Sequence, residues 1–190
     1  NLMYPGIGVG GYCLTKDPLL ASWAKINHFN SNHNLVQSEK GVKINDKMPH
    51  YAFEFMKKAF DLDSLANKKI LLLGVSYRSD VGDTRYSPVE SFYLNCINDK
   101  AKVDIHDPYV HYWEEIKIKV SQDIDNKLEK VWDVIVFSAA HSDYKNPKVI
   151  SKICKMSNVK VLDTLGILEQ KDIVQINKNN KVKVLGRGDV

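Results

Sequence analysis

One cysteine in this chain stands where a thiol could do covalent chemistry. Cys13 lies within Gly8-Val9-Gly10-Gly11-Tyr12-Cys13-Leu14-Thr15-Lys16-Asp17. Glycines leave the backbone of residues 5–16 free to take positive φ and to approach a ligand closely. A helix is expected to start at Asp17-Pro18, with Asp as the N-cap and Pro in the first turn. The positive end of a helix favours a thiolate over a thiol, and the thiolate is the nucleophile. Lys16 adds positive charge nearby, and Asp17 could orient a water or take a proton. The alternative for the same residues is a buried structural cysteine in a tight turn, since free cysteine is among the most buried residue types.

A second cluster is Gly74-Val75-Ser76-Tyr77-Arg78-Ser79-Asp80-Val81-Gly82-Asp83-Thr84-Arg85. It follows a short apolar run and precedes a helix that opens with Pro88. In a doubly wound sheet such a loop borders the crevice where ligands bind. It is not GxGxxG, so a dinucleotide fingerprint is absent. Two arginines, Arg78 and Arg85, suit an anionic group, phosphate or carboxylate. Asp80 and Asp83 allow the plainer alternative, a solvated loop with local ion pairs. His106-Asp107-Pro108 reads as a turn after a strand, and His141 as a surface-loop residue. Cys96 and Cys154 read as core, and Trp113 and Trp132 as core or partly buried surface. Three cysteines far apart, with no CxxC, support neither a disulfide framework nor a zinc site. They point to a reducing compartment, the cytoplasm.

These residues need elements to hold them. Leu19, Leu20, Trp23, Ala24 and Ile26 recur at helical spacing after the glycine loop. A second helical pattern over 34–62 carries an apolar stripe of Met48, Ala52, Phe55, Met56, Ala59 and Phe60, with Pro49 either starting its better half or kinking it. From residue 70 the rhythm changes. Short apolar strands are expected at 70–75, 103–105, 132–137, 159–162 and 182–185, with a helix at 87–97 and other helical or polar stretches between. The fold class is α/β: a helical segment, then a doubly wound, mostly parallel, Rossmann-like sheet domain, with the boundary near Asn67. With 190 residues and 44% hydrophobic content the chain can bury a core. Its net charge of +4 is too small and scattered to suggest nucleic-acid binding. No apolar run reaches the roughly 18 residues of a membrane span, and no signal peptide is visible. The start at Asn1, with glycines following at once, suggests a chain that begins mid-domain.

Taken together, four stretches resemble the nucleotide-sugar 6-dehydrogenases, the family of UDP-glucose, UDP-N-acetylhexosamine and GDP-mannose dehydrogenases. They are Pro5-Gly6-x-Gly8-Val9-Gly10-Gly11-x-Cys13-Leu14-x-Lys16-Asp17, Ile44-Asn45-Asp46-x-Met48-Pro49, Leu73-Gly74-Val75-Ser76-Tyr77 running on to Val81-Gly82-Asp83-Thr84-Arg85-x-Ser87-Pro88, and Asp107-Pro108-Tyr109-Val110. Their order and spacing fit along the whole chain. The resemblance implies a second half of the central helical domain with the cysteine loop (1–66) and a C-terminal UDP-sugar-binding domain (67–190). The NAD-binding domain of the family is absent from this sequence. It also implies a catalytic Cys13, a water-activating Asp17, cofactor contacts from Lys16 and Arg85, and substrate contacts from Tyr4, Gly8, Leu14, Tyr77 and Arg78. Family members oxidise a sugar C6 alcohol to the acid with two NAD, holding the intermediate aldehyde on the cysteine as a thiohemiacetal and then a thioester. Two positions depart from the family. Leu165 stands where many relatives carry arginine, and Arg78 where many carry lysine.

Val9 and the Asn45-Asp46-x-Met48-Pro49 stretch lean toward a UDP-N-acetylhexosamine substrate, whereas Gly11-Tyr12-Cys13-Leu14-x-Lys16-Asp17 looks more like the UDP-glucose branch. The other reading is a nucleotide-sugar-binding or dimerisation module without catalysis. A pure binding module has no need of Cys13. The chain by itself is expected to be inactive, and to form a homodimer through the 34–62 helix, whose stripe offers more apolar surface than one adjoining domain covers.

Overall fold

The computed structural model describes residues 6–188. Two helices come first, α1 (Tyr12–Asn27) and α2 (Val36–Ala59). Then follow β1 (Lys69–Leu73), α3 (Pro88–Asn98), β2 (Lys102–His106) and a small antiparallel hairpin, β3 (Tyr112–Trp113) with β4 (Ile118–Lys119). The chain continues through α4 (Ile124–Leu128), β5 (Val134–Phe137), a 3-10 turn (Ser142–Lys145), α5 (Pro147–Lys155), β6 (Lys160–Asp163), α6 (Gln170–Ile176) and β7 (Lys181–Val184).

Five strands make one parallel sheet in the order β2-β1-β5-β6-β7. The apolar run behind β1 explains its central place. Ile70 and Leu72 face a core shared with α2, α3 and Trp113, while Leu71 and Leu73 face another shared with α5, α6 and Tyr144. Alternate side chains of a strand leave on opposite faces, so both faces must be apolar to be covered by helices. Helix starts follow local chemistry. The Ser87 hydroxyl accepts the Val89 N–H at 3.4 Å, with Pro88 at the first helical position. Asn146 caps α5 in the same way through the Lys148 N–H at 2.9 Å.

The chain steps outward from β1 to β2, then crosses back to β5 on the other side of β1. That reversal separates the connecting loops at the C-terminal ends of β1 and β5 and opens a crevice between them.

Three expectations need correction. Helix α1 starts at Tyr12, five residues before Asp17-Pro18, so Cys13 lies in the first turn of the helix and not on a loop before it. Gly11, at φ +82°, turns the chain sharply enough for the helix to begin at once, and Pro18 is carried inside it. The α2 stripe is not free. Ala52, Met56 and Phe60 are buried in the core shared with Val89, Phe92 and Cys96, across Asn67 in sequence. Finally, Cys154 is half-buried, in contrast to Cys96, which is fully buried.

Helix α1 is built the other way round. Its one buried residue is Ser22, whose hydroxyl hydrogen-bonds Glu39 of α2 and accepts the Leu35 N–H at 3.0 Å. Leu19, Leu20, Trp23 and Ile26 face outward. No helix among the described residues is long and apolar enough to cross a membrane, and none of their His, Cys, Asp and Glu side chains cluster in a way that could hold a metal.

Candidate active-site cleft

A cleft of about 540 Å³ lies over the crevice between β1 and β5. The segment 6–14 forms one wall, residues 76–79 with Arg85 a second, and Ser138, Ala139, Ala140 and Leu165 the floor at the C-terminal ends of β5 and β6. Of the residues expected to act, Gly8, Cys13, Leu14, Tyr77, Arg78 and Arg85 all line this one space. Tyr4 lies outside the described residues. Lys16 and Asp17 do not line the cleft and pair with each other at 3.1 Å on the exposed surface of α1. Asp17 nevertheless follows Cys13 by four residues, which places it one helical turn on, along the same face.

The cysteine wall is fixed by close backbone approach. A side chain at Gly10 would put its Cβ at 2.5 Å from the Cβ of Tyr77 and 2.6 Å from the Tyr86 carbonyl oxygen. At Gly11 the same atom would meet the Tyr77 ring at 2.8 Å, at a φ of +82° that other residues rarely adopt. Thus the cysteine segment rests directly on the loop that carries Tyr77. The Gly11 N–H donates to the Arg85 carbonyl at 3.2 Å and joins the two again. Asn45 of α2 grips the segment from the other side, its Oδ1 accepting the Val9 N–H and its Nδ2 donating to the Val9 carbonyl, both at 2.8 Å. Sequence reasoning quoted Asn45 without assigning it this work. The available signal was an amide, a poor helix former, inside a long helix.

The two arginines differ. Arg85 is exposed and forks onto Asp83, with Nε to Oδ1 at 2.9 Å and Nη2 to Oδ2 at 2.6 Å, while its guanidinium lies 5.1 Å from the Tyr12 ring centroid. The Arg85 hydrogen bond holds the Asp83 carboxyl below its ordinary range. Arg78 is exposed at the cleft and has no carboxylate partner among the described residues. The local-pair alternative therefore describes Arg85 and leaves Arg78 open to an anion. Asp80 does not pair with arginine. Its Oδ1 accepts the Ser142 N–H at 2.7 Å and the Ser142 hydroxyl at 3.0 Å.

Beneath the loop lies a buried polar group that sequence reasoning placed wrongly. His141 is not a surface residue; its side chain is completely buried. It sits where β5 runs into the 3-10 turn, and its ring stacks at an angle against Tyr109 and Tyr144. Its Nε2 lies 3.1 Å from Asp107 Oδ2, and its Nδ1 accepts the Asp80 N–H at 2.9 Å. Asp107 is equally buried. It accepts the N–H groups of Val75 and Ser76 and the Ser76 hydroxyl on Oδ2, and those of Tyr109 and Val110 on Oδ1. Burial pushes the Asp107 carboxyl up, but the His141 and backbone hydrogen bonds outweigh it and hold the group below its ordinary range. The signal for Asp107 was present: a carboxylate just past the C-terminal end of a strand in an open α/β sheet.

The chain is similar to known proteins along nearly its whole length. The UDP-glucose/GDP-mannose dehydrogenase family, UDP binding domain, matches residues 71–170. The UDP-N-acetyl-D-mannosamine dehydrogenase of Methanocaldococcus jannaschii is 32% identical over 191 residues, covering 99% of this chain and 41% of that protein. The enzyme of the same description from Methanococcus aeolicus is 29% identical over 194 residues, covering 99% and 40%. Among solved structures, NDP-N-acetyl-D-galactosaminuronic acid dehydrogenase from Methanosarcina mazei superposes with a TM-score of 0.80 at 27% identity, covering 98% of this chain and 40% of that one. UDP-D-ManNAc dehydrogenase from Pyrococcus horikoshii gives 0.79 at 26%, covering 100% and 41%. The chain thus spans about two fifths of the length of these relatives. It belongs to the UDP-glucose/GDP-mannose dehydrogenase family.

Proposed function

We propose, with that membership as premise, that this chain is the substrate-binding part of an NAD-dependent UDP-sugar 6-dehydrogenase, and that its substrate is a UDP-N-acetylhexosamine. The observation that carries the reading is the cleft at the β1/β5 reversal, which brings together Cys13 and Arg78, an arginine with no carboxylate partner among the described residues. The description of the archaeal relatives as UDP-N-acetyl-D-mannosamine dehydrogenases supports the acetamido sugar. On this reading the chain divides near Asn67 into a remnant of the central helical domain (1–66) and a UDP-sugar-binding domain (67–190), although α2 shares a core with α3.

Arg78 meets the diphosphate, Tyr77 packs beside it, and Gly8 and Leu14 border the sugar. Leu165 on the floor offers an apolar contact where an arginine would have offered a charged one. NAD, when bound, supplies the acceptor for hydride from C6. Arg85 at the cleft and Lys16 on α1 are the exposed cations that suit its phosphates. The Cys13 thiolate adds Sγ to the C6 aldehyde carbonyl and retains it between two oxidations. The resulting thioester is cleaved by water, which gives its oxygen to C6 and returns the thiol. Asp17, one turn along the same face, takes the water's proton once it leaves Lys16. The exposed apolar residues of α1, together with Val36, Ile44 and Tyr51 of α2, suit a homodimer built on these two helices. Three free cysteines suit a reducing cytoplasm.

The test is Cys13→Ser in the full-length enzyme. Serine is a far weaker nucleophile, so uronate formation should fall by about three orders of magnitude or more while thermal unfolding is unchanged. Near-normal uronate yield from a well-folded variant would refute the nucleophile assignment.

A further inference from the structure

Residues 77–79 carry the side chains that would meet the nucleotide; Tyr77 is half-buried against Gly10 and Gly11, and its N–H donates to the Asp83 carbonyl at 3.0 Å, whereas Arg78 and Ser79 are exposed. Such a loop holds one geometry only if its ends are pinned. The base is pinned by Asp107, which accepts the N–H groups of Val75 and Ser76. The tip is pinned at Asp80, which sits in the left-handed region at φ +58° and would relax without support. Its N–H is held by His141 and its carboxylate by Ser142. Among the described residues His141 is therefore the side chain that hydrogen-bonds both pins, from complete burial.

The roles of its two nitrogens follow from the partners. A backbone N–H can only donate, so Nδ1 must accept from Asp80. Nε2 then carries the proton and donates it to Asp107 Oδ2. Both bonds are made at once only by a neutral imidazole in this tautomer.

We propose that His141 is a positioning residue for nucleotide binding: by bridging Asp107 and the Asp80 N–H it locks the segment that presents Tyr77 and Arg78 to the diphosphate. This rests on the cleft being the UDP-sugar site. His141 does not line the cleft, so it acts through the loop and not on the ligand.

The two nitrogens can be separated. In His141→Asn the amide oxygen stands near the place of Nδ1 and can still accept the Asp80 N–H, whereas in His141→Gln the amide reaches toward Asp107 and leaves the Asp80 N–H without an acceptor. UDP is titrated calorimetrically into the chain and each variant, with thermal unfolding measured alongside. The expected result is UDP affinity weakened by about tenfold or more for His141→Gln, and by less for His141→Asn, which keeps the tip bond and loses only the Asp107 arm. Asp80→Gly keeps the positive φ and the backbone N–H to His141, and removes the Ser142 anchor together with the carboxylate that stands 3.9 Å from His141 Nδ1, so it reports on the tip even if a His141 variant fails to fold. It should weaken UDP by about threefold or more with unfolding unchanged. If a folded His141→Gln binds UDP as the parent does, or if Asp80→Gly does so, the inference is overturned while the cleft assignment stands. If the parent chain binds no UDP, the cleft assignment falls and takes this inference with it.

Discussion

The two walls of the cleft are held by opposite means. The wall that carries Tyr77 and Arg78 stands on a closed sheet, with both faces of β1 buried and a fully buried carboxylate–imidazole pair beneath the loop. The wall that carries Cys13 belongs to α1, which buries Ser22 and leaves Trp23 at 53% and nearby Phe29 at 78% exposed. Within this chain the wall with Tyr77 and Arg78 is held from beneath by buried groups, whereas the cysteine side depends on a backbone clamp from Asn45 and on glycine contacts with Tyr77. A helix with its polar residue inside and its apolar residues outside presents a surface suited to contact with other protein. The exposed apolar face of α1 is the surface that the proposed homodimer would cover.

The strongest way to test this contrast is at Asp107. Asp107→Ala leaves five hydrogen-bond donors and His141 without their acceptor, and should cost about 3–5 kcal/mol of unfolding free energy, measured with denaturant. The pH dependence follows from sign. The folded-state carboxyl is depressed, so its contribution is present above the unfolded value of about 3.9 and is lost as pH falls through the folded one. Asp107→Asn should therefore flatten the acid limb of the stability profile below about pH 4. An unchanged acid limb would mean that Asp107 carries no such linkage.

Next in size is Met56→Ala. Met56 lies on α2 but inside the sheet's core, and its truncation should cost about 2–5 kcal/mol. A cost under about 0.5 kcal/mol would place α2 with the loosely held region instead. Asn45→Ala removes the clamp on a half-buried Val9. The expected loss is about 1 kcal/mol, with faster hydrogen exchange at the Val9 amide and unchanged exchange in β1. Smallest is the paired change Leu20→Ser and Trp23→Ser on the outer face of α1. Unfolding free energy should stay within about 0.5 kcal/mol, while sedimentation shows weaker self-association. A large loss of stability in a monomeric sample would show that this face is packed within the chain.

The sheet was readable because its signals are local. A run such as Ile70-Leu71-Leu72-Leu73 is apolar at every position, which only a strand covered on both faces requires. Ser87-Pro88 marks a helix start by the chemistry of two residues. The short β3–β4 hairpin was not readable, since two-residue strands show no period. The start of α1 was missed because Asp17-Pro18 mimics a cap, while the true turn depends on how Gly11 sits against Tyr77.

The sequence alone determined the chemical inventory: a cysteine among glycines, a loop with two arginines after a buried strand, and the alternation that makes a parallel sheet. Only the tertiary structure decided which arginine is already paired, which apolar stripe is already covered, and that His141 lies in the interior bridging Asp107 to Asp80. The physical reason is range. Propensity, capping and periodicity act over a few residues, whereas burial and hydrogen-bond pairing are settled between segments 61 and 34 residues apart, and no local pattern encodes that meeting.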